Sequence, residues 1–166
     1  MPFETIFLLL IATIGAIYDW KLRRVPNWLT FGGLGAILIF NIFYSGINGF
    51  VTSLLGLLTG LAILFIPYIA GGMGAGDVKL LGTLGAIVGY KDIILIFFYT
   101  AISGLILGII WLIFSPERLK FLITTGQILP VIDKKQKIPY ALAILMGTIL
   151  YIMFDINNIF NLILWQ

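Results

Sequence analysis

"GGMGAGDVKL", residues 71–80, decides how this chain is read. Four glycines fall within six residues and give way at once to Asp77 and Lys79, with apolar runs on either side. Glycine permits backbone conformations and close approaches that other residues forbid. Non-helical backbone at membrane depth is tolerated only where it is buried in protein or lines a water-filled cavity. The loop therefore predicts a wet cavity with Asp77 at its edge. A phosphate cradle is the rival for a glycine cluster, but the stretch lacks the terminal Gly-Lys-Ser/Thr of a P-loop. Taken alone, Asp77 also fits an N-cap opening the helix "VKLLGTLGAIVG".

The surrounding composition is that of a membrane protein. Of 166 residues, 61% are apolar and 10% are charged, against about 25% charged in an ordinary soluble domain. We read residues 1–166 as one integral-membrane domain. The chain has no cysteine and no histidine. Disulfides, thiolate catalysis, histidine bases and zinc chemistry are thereby excluded. Acid–base chemistry near neutral pH falls to carboxylates, lysine or tyrosine. No cofactor and no metal is expected. The net charge of +3 is explained by topology and does not point to nucleic acid.

Six apolar segments are predicted to cross the bilayer: 3–18, 28–44, 50–70, 78–90, 93–114 and 138–154. A span needs about 20 apolar residues, so the fourth works only if the glycine loop already dips below the membrane surface. The first segment lacks the basic start and small-residue cleavage site of a signal peptide. The stretch "SPERLKFLI" (115–123) carries Ser115 as N-cap and Pro116 at the first helical position, predicting a short helix in the 115–137 stretch at the cytoplasmic interface. The expected fold is all-α: a polytopic membrane helix bundle with six transmembrane segments and that interfacial helix. Nine of the ten basic residues fall on alternate connecting stretches: Lys21, Arg23, Arg24, Lys79, Arg118, Lys120, Lys134, Lys135 and Lys137. The positive-inside rule makes that side cytoplasmic and leaves both termini outside.

Of the seven acids, Glu4, Asp92, Glu117, Asp133 and Asp155 fall in ends or loops and read as solvated surface. Asp19 and Asp77 sit at the cytoplasmic ends of apolar segments, where ionisable residues are costly and usually functional. Asp19 could pair with Lys21, Arg23 or Arg24, which otherwise read as topology anchors. It could instead face Asp77. Two facing acids can share a proton, one acting as base and the other as acid, which suffices to activate water for peptide hydrolysis. Helix dipoles favour Asp77 as the ionised base and Asp19 as the protonated partner. Asn27 is expected to cap the second helix, Lys79 to snorkel or help hold the pair's charge, and Pro139 and Tyr140 simply to open the last span.

These motifs resemble a known family. "YDWKLRRVPNWLT" (18–30) is similar to the first signature of type IV prepilin peptidases, an Asp followed by basic residues and a Pro-Asn. "GAGD" (74–77) matches their GxGD signature, and "IPYALAI" (138–144) is similar to their last-helix segment, with Ala141-Leu142 where the family more often has Gly-Pro. The resemblance covers the whole chain. It implies a membrane-embedded aspartic endopeptidase with Asp19 and Asp77 as the catalytic pair and with Gly74, Gly76 and Lys79 at the substrate. The implied substrates are prepilin-like proteins whose short basic leaders are removed on the cytoplasmic side of the cell membrane. Larger members add a cysteine-bearing N-terminal region and methylate the new end. This chain starts at its first span without cysteine and resembles the short, peptidase-only members of tight-adherence pilus or archaeal preflagellin systems. The alternatives are a presenilin-like protease, a small proton- or ion-coupled transporter using paired aspartates, and a purely structural membrane subunit. No repeat of the kind common in transporters is visible.

Overall fold

α1 (Pro2–Leu22) opens on a proline, with Glu4 in its first turn and Lys21 in its last, charges that complement the helix dipole. In the computed structural model, residues 2–114, 124 and 140–164 are described; side chains are described for 3–114, 124 and 140–154. α1 ends where Arg23 takes a left-handed backbone, φ 54°. Its N–H closes the last turn onto the Asp19 carbonyl at 2.8 Å. Pro26 then stands extended at the N-cap of α2 (Asn27–Ile69) without a side-chain cap bond. Asn27 is thus the first helical residue and not the expected cap.

The second and third apolar segments run together as α2, 43 residues long with one non-helical residue, Gly46, at φ 61° and ψ −147°. Few residues other than glycine adopt this conformation. The chain folds back there. Asn41 Nδ2 donates to Ser53 Oγ at 2.6 Å, whereas a straight helix would hold residues 41 and 53 about 18 Å apart. Gly49 lies so close to the Asn41 carbonyl that a Cβ would sit 2.5 Å from its oxygen. Two arms, 27–45 and 47–69, therefore lie side by side. The second arm closes in a Schellman motif: Gly71, at φ 76°, donates to the Tyr68 carbonyl and Gly72 to the Pro67 carbonyl, both at 3.0 Å.

α3 (Ala75–Val88) is the centre of the bundle, buried almost continuously from Asp77 to Ile87. Thr83 Oγ1 reaches the Thr30 carbonyl on the first arm at 3.2 Å. The next residue back, Gly82, touches Gly60 on the second arm. Gly56 and Gly85 bring their backbones into direct contact, leaving no room for a Cβ on either. Where neighbouring lipid is as apolar as the helices, such close approach of small residues is what packs them. α4 (Asp92–Ile113) and α5 (Tyr140–Leu164) pair in the same way, Gly147 lying directly on Thr100. α1 packs against α3 and α5; a Cβ on Gly15 would meet Leu80.

The all-helical bundle matches the expected class. The count of six separate membrane-length helices does not. Among the described residues three helices are long and apolar enough to cross a membrane by length and composition: Phe3–Leu22, Asn27–Ile69 and Asp92–Ile113; Tyr140–Phe154 is a shorter apolar helix. Two expected segments have merged into α2 because one glycine suffices to reverse it. α3, at 14 residues, is about 21 Å long against a hydrocarbon core of about 30 Å. The expected interfacial helix of 115–137 lies outside the described residues apart from Thr124. Large apolar side chains cover the outside of the bundle, with Phe43 87% and Leu105 66% exposed, a surface suited to lipid.

Candidate active site

The arms of α2 and the course of α3 put the end of α1, both ends of α2 and the start of α3 at one end of the bundle. Lys79 Nζ donates to Asn27 Oδ1 at 3.1 Å, tying the start of α2 to α3. Gly76 lies against Val25 in the α1–α2 connection, where a Cβ would come within 3.2 Å of its backbone nitrogen and Cβ. The tight loop Gly71–Gly74 then delivers Asp77 into the bundle. Gly74 is the N-cap of α3, and Asp77 stands three residues on. Asp77 is therefore not the cap expected from the sequence. It reaches back instead, its Oδ2 accepting the Gly74 N–H at 3.2 Å.

Asp19 and Asp77 are each only 8% exposed. They come from helices that the chain separates by the whole of α2, and the charge of Asp19 acts on Asp77. A buried carboxylate is costly unless hydrogen bonds satisfy it. Asp19 Oδ2 accepts the backbone N–H of Ala141 at 3.4 Å, and the Arg23 charge acts on it as well. Ala141 is the second residue of α5. Both acids thus sit against the start of a helix, where free N–H groups and the dipole favour negative charge. The dipole argument that set the two acids apart in the sequence does not survive this. α1 continues to Leu22 beyond Asp19, and the start of α5 supplies Asp19 with the same kind of partner that Asp77 has.

Tyr140, the first residue of α5, is also here. The Asp77 charge acts on it, and its ring lies across Gly104 of α4, 3.5 Å from where a Cβ would stand. Sequence reasoning gave Tyr140 and Ala141 no role at the pair. The only local signal was the Pro-aromatic start of the last span.

The structure places Gly74 and Gly76 beside Asp77 and does not bring Lys79 to the pair. Lys79 shares a face of α3 with Ala75 and Val78, and Asp77 points the other way by helical spacing. Those three residues line an apolar cavity of about 410 Å³ with Leu61, Phe65 and Tyr68 of α2. Lys79 also lies 5.4 Å from the Phe31 ring centroid. Among the described residues no group of three or more acidic, His or Cys side chains could hold a metal ion.

A buried pair of acids with water as the third party can exchange protons with a carbonyl and with water, which is the equipment of aspartic hydrolysis. The chain is 27% identical over 152 residues to the prepilin leader peptidase/N-methyltransferase of Bacillus subtilis (strain 168), covering 89% of this chain and 54% of that protein. It spans about half the length of this curated relative. No solved structure matches. The apolar helices are those of an integral membrane protein. The model of the type IV leader peptidase family matches residues 6–109, a stretch that contains both aspartates and the glycine loop, and the chain belongs to that family.

Proposed function

We propose that the protein is a membrane-embedded aspartic endopeptidase that removes short basic leaders from prepilin-like proteins, with Asp19 and Asp77 as its catalytic pair. The observation that carries this reading is the burial of two carboxyl groups, from α1 and α3, each against a helix start, in a chain of the leader peptidase family. One proton shared by the pair suffices for the chemistry. The ionised carboxylate takes a proton from water as the water oxygen bonds to the scissile carbonyl carbon. The protonated carboxyl gives its proton to the carbonyl oxygen. Collapse of the gem-diol breaks the C–N bond: the leaving amine takes the proton from the first carboxyl, and the second carboxylate takes back a proton from one of the two hydroxyls, which restores the pair with its single proton.

In this reading Gly74 and Gly76 keep side chains away from the path of the substrate backbone. Lys79, held by Asn27, contacts the substrate on the far side of α3. The chain crosses the cell membrane six times, the arms of α2 each counting as one crossing and α3 entering from a loop already below the surface. The end carrying Lys21, Arg23, Arg24 and Lys79 faces the cytoplasm, where basic leaders lie, and both termini lie outside. The partners are the prepilin-like substrates and the lipid bilayer.

Coexpression with a pilin-like protein bearing a basic leader tests the reading. The account expects its mobility to increase with the wild-type chain and to stay that of the precursor with Asp77→Asn. Unchanged mobility with the wild-type chain, across substrates with basic leaders, would count against it.

A further inference from the structure

We propose that Tyr140 is a hydrogen-bond donor to the substrate at the aspartate pair, completing the site from α5. The inference rests on the peptidase reading above and adds a third group to it. The placement follows from two contacts and from the field of a nearby charge. Ala141, the next residue, holds Asp19 through its backbone N–H. The charge of Asp77 acts on the Tyr140 ring itself. The ring lies against Gly104, with Cε2 at 3.5 Å and the hydroxyl at 3.8 Å from the position of a Cβ there. α4 thus backs the ring, while the two aspartates come from α1 and α3.

Among the described residues the hydroxyl has no hydrogen-bond partner. A buried or half-buried tyrosine normally finds a partner for its O–H. Tyr140 is half-buried, yet its hydroxyl makes no hydrogen bond to another described residue. Both carboxyl groups already have a backbone N–H each. A donor one residue from the N–H that holds Asp19, with no hydrogen bond to a described residue, is available to the carbonyl oxygen of a peptide lying across the pair. That oxygen gains negative charge as water adds, so a donor aimed at it strengthens in the transition state. Phenol suits the position in a chain without histidine, because it donates without carrying a charge into the bundle. The packing onto Gly104 fixes the ring at little conformational cost, since tyrosine has few rotatable bonds. A larger side chain at 104 would push the ring off its seat.

The test is steady-state cleavage of a pilin-like substrate by purified protein in liposomes, comparing wild type, Tyr140→Phe and Gly104→Val. Rates are normalised to folded protein by near-ultraviolet circular dichroism. Tyr140→Phe removes one oxygen and keeps the ring on Gly104. It is expected to lower kcat about ten- to a hundredfold, with KM within about threefold and the thermal midpoint unchanged. Gly104→Val keeps the hydroxyl but displaces it, and kcat is expected to fall as well. Tyr140→Phe with wild-type kcat would overturn the proposal, whatever Gly104→Val does. A loss that disappears on normalising to folded protein would also overturn it, since the role would then be packing alone. If the wild-type protein itself cleaves no such substrate, the peptidase reading fails and not this refinement of it.

Discussion

Ala141 donates its backbone N–H to Oδ2 of Asp19 across 3.4 Å, although 122 residues separate them in the chain. The contact fastens the first helix to the start of the last. Because the chemistry needs one proton on two carboxyls, cleavage should be bell-shaped in pH. It should fail at low pH, where both are protonated and no base remains, and at high pH, where both are ionised and no acid remains. The two apparent values would belong to the pair and not to either residue. The measurement is kcat in liposomes across about pH 4 to pH 9; a flat profile would argue that some other group does the chemistry.

The reversal of α2 can be trapped directly. Asn41→Cys and Ser53→Cys, introduced together, should form a disulfide on mild oxidation, because the native side chains are in hydrogen-bond contact. A continuous helix would hold the two sites about 18 Å apart, out of reach. Gly46→Val should cost roughly 1–3 kcal/mol for forcing a branched residue into that backbone, read as a lower unfolding midpoint in detergent. Equal stability of this variant, together with no cross-link, would straighten the helix.

Glycine positions should divide sharply by what surrounds them. Gly85 meets the Gly56 backbone, whereas nothing lies within 4 Å of a Cβ on Gly32. Gly85→Leu must drive α3 off the second arm of α2 and displace Asp77, at a cost of about 1–3 kcal/mol or more, with loss of cleavage. Gly32→Leu should leave both stability and cleavage unchanged. Equal tolerance of the two substitutions, measured by thermal unfolding, would mean that α2 and α3 do not pack through these glycines.

Orientation makes a separate prediction. Cysteine in place of Ser45, beside the Gly46 reversal, should react with a membrane-impermeant reagent added to intact cells. Cysteine in place of Lys21, close to Asp19, should react only after permeabilisation. The opposite pattern would put the aspartate pair on the wrong face for cytoplasmic leaders.

Much of this was legible in the sequence, because apolar runs and charge placement act locally. Asp19 and Asp77 stood out as the two acids at the ends of apolar segments, and both are buried, each 8% exposed. The helices α1, α3 and α4 follow their predicted segments to within a few residues. Other features were hidden because they depend on contacts far apart in the chain. Apart from the Pro-aromatic start of the last span, Ala141 and Tyr140 carry no local mark of their neighbourhood with residues 19 and 77. The fold-back itself lies in the expected break at 45–49, "SGING"; what the sequence hid is that Gly46 alone leaves the helical conformation there. Taken alone, Asp77 also fitted a cap because it follows the glycines, but Gly74 opens the helix with Asp77 reaching back to its N–H. Gly76 was read for access to Asp77, and its other duty, seating Val25 against the start of α3, could not be seen without the fold.

The most direct test of the aspartate pair is mass spectrometry of a pilin-like substrate after incubation with the purified protein in liposomes containing a metal chelator. Wild-type protein is predicted to yield two fragments, the basic leader and the trimmed protein, with chelator present. Asp19→Asn, Asp77→Asn and the double variant are each predicted to yield only the intact substrate. Their losses should be equal in size and not multiplicative, because the pair works as a unit. Cleavage at the wild-type rate by either folded single variant would remove that residue from the mechanism and contradict the account.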